Sequence, residues 1–189
     1  SGVLRWTPGP SSLFRLELQM SQASPIAGRD EFHKVPGEWK MKAAFFRRHG
    51  EADVLEVGEA PEPVAAAGTV IVGVRAVALN HLDLWVRRGI PGLELELPHI
   101  GGSDVAGVVE EVGPGVTAWS AGDRVVVNPS LWCGECTFCE RGEESLCRSY
   151  RIVGEHVGGG AAERLRVPAT NLYAIPDALA FETAAAAPL

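Results

Sequence analysis

The sequence predicts a mostly β, barrel-like domain with a few short helices and one cysteine-rich lobe. Short runs of β-branched residues recur along the chain, and glycine or proline punctuates them. Many short strands so punctuated mean a barrel-like architecture rather than a parallel doubly wound sheet. All four cysteines fall in one polar stretch, NPSLWCGECTFCERGEESLCRSY, Asn128 to Tyr150.

Residues 1–40 mix TPGPSS, SQASP and HKVPGEWK with little periodicity. They carry five basic and four acidic side chains, against twelve and twenty in the rest of the chain. That shift marks residues 1–40 as a disordered or artefactual extension. The alternative is a short ordered arm in which SLFRLELQM pairs as a strand. MKAAFFRRHG then opens the domain proper, residues 41–189. TVIVGVRAVALN, VAGVVEEVG and GDRVVVNPS read as strands, the second closed by the turn GPGV. AAERLRVPATNLYAIP gives two short strands broken at Pro168. LNHLDLWVRRG reads as a helix with Leu79, Leu82, Trp85 and Val86 on one face and Gly89 at its end. DALAFETAAAAP begins a second helix. GEHVGGGAAE lacks the setting and spacing of a dinucleotide fingerprint and reads as a mobile turn.

Length and charge bound the function. A chain of 189 residues is long enough for one domain with a core, and a formal net charge of -7 argues against nucleic acid or an anionic membrane as partner. No apolar run of about 18 residues predicts a spanning helix, and the opening residues carry no secretory signal. Cysteines at CxxC spacing in such a chain suggest a reducing, cytoplasmic setting and a metal rather than disulfides.

The loop, residues 130–150, is spaced C-x2-C-x2-C-x7-C across Cys133, Cys136, Cys139 and Cys147. Four thiolates suit one tetrahedral zinc, and Gly134 gives a metal knuckle its backbone freedom. Arg141 and Arg148 are placed to offset the negative charge. An iron–sulfur cluster shares the first two spacings but lacks the usual short final gap and following proline. Two disulfides, or four free thiols, are the other readings. A zinc with four protein ligands has no open position, so this one is structural.

Taken in order, MKAAFFRRHGEADVLEV, VALNHLDLWVRRG, LPHIGGSDVAGVVEEVGPGV, GDRVV, the cysteine loop and GGGAAERLRVP resemble the medium-chain dehydrogenase/reductase superfamily. They are similar to its N-terminal, GroES-like catalytic domain, and the likeness runs from Met41 to Leu189. The cysteine loop matches the structural-zinc lobe of zinc-type alcohol dehydrogenases. Two motifs depart from that type. The cysteine heading a Cys-His-x-Asp motif, a catalytic-zinc ligand, is Asn80 here. The Gly-His-Glu motif reads GSD, with Ser103 for the histidine ligand and Asp104 for the glutamate. Amide and hydroxyl are poor zinc ligands beside thiolate and imidazole, so no catalytic zinc is expected. Asp83 persists without a ligand to orient, and Leu82 stands where a proton-relay hydroxyl is usual.

The resemblance implies a nicotinamide-dependent oxidoreductase using NADH or NADPH. Without a metal to hold an alkoxide, an activated double bond is the easier target, so the expected substrate is a small enone, quinone or other carbonyl compound. Zinc-independent quinone and enone reductases of the superfamily carry an N-x-x-D motif like this one. Asn80, Asp83 and Asp104 are the expected pocket-lining catalytic residues. Asn80 either hydrogen-bonds substrate or the cofactor ribose, or simply starts a helix. His81 stands where related enzymes place a basic group near the cofactor pyrophosphate; a lone surface histidine is the alternative. His33, His49, His99 and His156 get no functional reading. A Rossmann domain, which follows in the superfamily, is expected to be missing after AAAAPL, leaving the isolated chain inactive. Two rival readings stand: a zinc-type enzyme of alcohols and aldehydes, and a non-enzymatic zinc-stabilised binding module. Homo-oligomerisation is left open.

Overall fold

The computed structural model describes residues 2–5 and 41–188. Besides four 3₁₀ turns, the described elements are eleven strands and two short α-helices: β1 (Gly2–Arg5), β2 (Met41–Phe46), β3 (Leu55–Ala60), β4 (Thr69–Leu79), α1 (His81–Arg88), β5 (His99–Ile100), β6 (Asp104–Val112), β7 (Arg124–Val127), β8 (Ser130–Leu131), β9 (Arg151–Ile152), β10 (Arg164–Pro168), β11 (Leu172–Ala174) and α2 (Phe181–Ala185). Within the expected extension, Gly2–Arg5 pair antiparallel with β4; its other residues lie outside the described residues. SLFRLELQM and His33 lie outside the described residues.

All named strand pairings are antiparallel. The main sheet runs β1-β4-β6-β7-β11, with β10 also on β4; β3-β2-β5 form a second sheet and β8-β9 a ribbon. β4 is the axis. It pairs with β10 through Thr69–Gly73, with β1 through Ala76–Leu79, and with β6 along its other edge. Register shifts at Ile71/Val72 and Val74/Ala76 bend it. Such irregularities increase local twist and let a sheet curl toward closure.

The valine-rich runs become the core. Val70, Val72, Val77, Val105, Val109, Val125, Val127 and Val167 are all at most 1% exposed and pack as one cluster. Each such side chain contributes about 1.5 kcal/mol or more on burial. Opposite them, Ala76, Ala78 and Ala106 take α2 through Ala184 and Ala185. β4 is thus covered on both faces, which is why its sequence is apolar almost throughout, interrupted by the exposed Arg75.

Arg124 of β7 fastens the segment between β11 and α2. Its guanidinium donates to the carbonyls of Pro176, Asp177 and Leu179, and lies 4.5 Å from the centre of the Phe181 ring.

The helix at 81–88 is found, but its buried face differs from the expected one. Leu79 ends β4 and Trp85 is 56% exposed; Val86 and Arg87 are buried, with Leu82 half-buried beside Phe46 and Val54. The helix starts only after Asn80, so Leu79 falls outside its periodicity and the i, i+4 pair Leu82–Val86 sets the inner face. The carbonyls at its far end are capped: His49 Nδ1 donates to Val86 O (3.1 Å) and Arg87 O (3.2 Å), and Gly50 N–H to Arg87 O.

GEHVGGGAAE also departs from its expected form. Rather than a mobile turn, it is a strap laid on Ile100–Gly102: Gly159 N–H donates to Ile100 O, Gly160 N–H to Gly102 O and Ala161 N–H to Gly101 O. The glycines are there for contact. A Cβ on Gly159 would strike the carbonyls of Gly101 and Gly102. One on Gly154, which has φ +81°, would sit 2.7 Å from Gly102 C and O.

His99 is buried on this seam, its Nε2–H donating to Gly154 O (3.1 Å), and burial lowers its pKa below the ordinary 6.5. A base with a lowered folded pKa stabilises fully above its unfolded pKa, and that stability is lost as pH falls below it. The melting temperature should therefore decline below pH about 6.5. His99→Gln, which keeps a donor for Gly154, should flatten that decline; an unchanged slope in thermal melts would refute the assignment.

Candidate active site and metal centre

Two short segments meet at the head of α1. Asn80 has extended backbone (φ -120°, ψ 170°) and caps the helix, with Asp83 completing a capping box. Asp83 Oδ2 accepts from Asn80 N–H (2.7 Å) and Oδ1 from Gly102 N–H (2.9 Å). In the other direction, Asn80 Nδ2 donates to Asp104 Oδ2 (2.8 Å). Residues 80–83 and 102–104 are therefore braced to each other twice. Burial raises the Asp83 pKa, and the N–H groups of Asn80 and Gly102 oppose that rise. The fixed orientation of the brace rests on the glycine strap behind Gly102.

The expected pocket residues Asn80, Asp83 and Asp104 are thus brought together. Ser103 sits among them, 1% exposed, with its hydroxyl making no hydrogen bond among the described residues. His81 is exposed on the first turn of α1, its ring centroid 6.2 Å from that of Trp85. Sequence reading missed Gly102, whose amide holds Asp83. The signal was present as the GG pair before Ser103, since φ +91° at Gly102 suits glycine alone. A cavity of about 410 Å³ lined by Phe45, Leu97, His99, Arg151 and His156 shares no residue with this cluster.

The four cysteines form a second centre. One Sγ from each of Cys133, Cys136, Cys139 and Cys147 lies within 4.8 Å of all the others. Neighbouring separations are 3.5 Å for Cys136–Cys139 and Cys133–Cys147, and 3.9 Å for Cys133–Cys139. Zinc–sulfur bonds of about 2.3 Å in a tetrahedron require sulfurs about 3.8 Å apart, so the donor set fits a structural zinc. Two backbone N–H groups, of Cys133 and Ser149, donate to Cys147 Sγ. Gly134 has φ +80°, as a knuckle needs. The expected charge role of Arg141 is not seen, because its guanidinium is taken by Glu143 (2.8 Å) and lies over Phe138. Arg148 is exposed.

Comparisons with known proteins show which family the chain resembles. Residues 66–177 match the family described as the alcohol dehydrogenase GroES-like domain. An alcohol dehydrogenase of Geobacillus stearothermophilus is 41% identical over 147 residues, 77% of this chain and 43% of the relative. An acryloyl-coenzyme A reductase of Metallosphaera sedula is 35% identical over 148 residues, 78% of this chain and 44% of the relative. The crystal structure of an NAD-dependent alcohol dehydrogenase superposes with a TM-score of 0.76 at 48% identity, covering 78% of this chain and 43% of that one. The chain spans less than half the length of each of these proteins.

Proposed function

This chain belongs to the alcohol dehydrogenase GroES-like family, within the medium-chain dehydrogenase/reductase superfamily, and from that premise we propose that it is the substrate-side domain of a nicotinamide-dependent reductase. Its substrate is a small enone, quinone or related unsaturated carbonyl compound, and the reaction uses no catalytic metal. The observation that carries this is the 2.8 Å bond from Asn80 Nδ2 to Asp104. Amide and carboxylate are committed to each other where zinc-type enzymes place a thiolate and a motif carboxylate. A relative named for reducing acryloyl-coenzyme A, an activated double bond, supports the same direction.

When bound, NADH or NADPH supplies the hydride. The residues of this chain do the rest on the substrate side. Asn80 is the substrate-side group, backed by the buried Asp104, with Asp83 holding both segments in register. His81 offers an exposed donor at the head of α1 for the cofactor's phosphates. The cysteine lobe holds one structural zinc. No helix among the described residues is long and apolar enough to cross a membrane. We place the protein in the cytoplasm.

The test uses the full-length protein. Enone and quinone reduction should persist after prolonged dialysis against a chelator that strips open-site metals, and alcohol oxidation should be negligible. Alcohol oxidation that is abolished by the chelator would instead establish the zinc-type reading. Absence of turnover on all three substrate classes would favour a binding module.

A further inference from the structure

We propose that the cavity between the second sheet and the β8–β9 ribbon binds a free amino acid with an apolar side chain. The site shares no residue with the Asn80–Asp104 cluster and does not depend on the reductase reading. Its volume is about 410 Å³, within the range of roughly 300–1,000 Å³ that takes small ligands. Each strand of the second sheet gives it one apolar residue: Ala60 from β3, Phe45 from β2 and Ile100 from β5. Phe45 and Ile100 are direct cross-strand partners, so they form one continuous surface, and Leu97 lies in the same lining.

The polar lining is what selects the ligand. Arg151, His156 and Glu96 line the cavity and are exposed. His99 lines it too, but it is buried and already donates to Gly154 O. The Ile152 N–H donates to His156 Nδ1 (3.1 Å), so the ring proton sits on Nε2. That bond ties the ring to the residue after Arg151 and puts both donors on one wall. Glu155 stands on the Nδ1 side of the ring, its Oε2 3.7 Å away. Neither Arg151 nor Glu96 has an ion-pair partner among the described residues. Two opposite charges thus share one cavity without meeting. A simple anion would satisfy Arg151 and face Glu96; a simple amine would do the reverse. A zwitterion satisfies both. Its carboxylate accepts from the Arg151 guanidinium and the His156 Nε2–H, its ammonium donates to Glu96, and its side chain lies on Phe45 and Ile100.

The experiment titrates the full-length protein with L-phenylalanine by calorimetry. Two probes run beside it: 3-phenylpropionate, which lacks the ammonium, and phenethylamine, which lacks the carboxylate. Phenylalanine should bind about tenfold more tightly than either. Arg151→Gln should weaken phenylalanine and phenylpropionate about tenfold and leave phenethylamine unchanged. Glu96→Gln should weaken phenylalanine and phenethylamine and not phenylpropionate. Both side chains are exposed, so both variants should melt with the wild type. Asn80→Ala should bind phenylalanine as the wild type does. Three results overturn the proposal: no binding of phenylalanine, phenylpropionate bound as tightly as phenylalanine, or binding lost in Asn80→Ala and kept in Arg151→Gln.

Discussion

Replacing Cys147 with serine is expected to strip the protein of its metal. The purified wild type should hold about one zinc per chain, and the variant close to none. The reason is geometric as much as chemical. Cys147 is the buried member of the cluster, and two backbone N–H groups already point at its sulfur. A hydroxyl of lower affinity cannot use that arrangement. The three remaining thiols would then bind metal through an incomplete tetrahedron, and the 3₁₀ turns at Cys139–Arg141 and Glu144–Leu146 would lose their common anchor. Metal analysis and thermal unfolding with and without chelator check this. The wild type should melt lower with chelator, and the variant should already melt low and respond little. Visible absorbance from iron, or a mass showing disulfides in unreduced protein, would defeat the zinc assignment.

The second large effect is expected at Gly154. Alanine there costs the left-handed backbone conformation, about 1–2 kcal/mol, and forces a methyl against the main chain of Gly102 and Ser103. That main chain cannot retreat freely, since Gly102 is bonded to Asp83 on one side and Gly160 on the other. Overpacking of this kind adds roughly 1–3 kcal/mol. Together they predict a loss of about 3 kcal/mol, read as a melting point lower by roughly 10 °C. Gly158→Ala is the control. A Cβ there meets nothing within 4 Å, so its unfolding should match wild type. Equal stability of the Gly154 and Gly158 variants would show that the seam is softer than described.

How much of this was legible in the sequence depended on how local the cause was. The cysteine lobe was legible because ligand spacing fixes a metal site from one loop. The strands at 69–79 and 104–112 were legible because both are rich in valine and other apolar residues, which burial against the core demands. The strap at 154–162 was not. Its glycines look like flexibility when read along the chain, and only the opposing Gly101–Gly102 backbone reveals them as close packing. The site was legible as a set of substituted motif positions, Asn80, Ser103 and Asp104. What joined them was not, because the two cross-bonds pair residues 19 and 24 apart in sequence.

The Arg124 clasp has a mechanical meaning for the site. One side chain ties the segment leading into α2 to β7, β7 pairs with Ala106–Val108 of β6, and β6 begins at Asp104. With α2 itself packed on Ala76, Ala78 and Ala106, the strands that carry Asn80 and Asp104 are held to the C-terminal helix at two places, the alanine face and the Arg124 clasp.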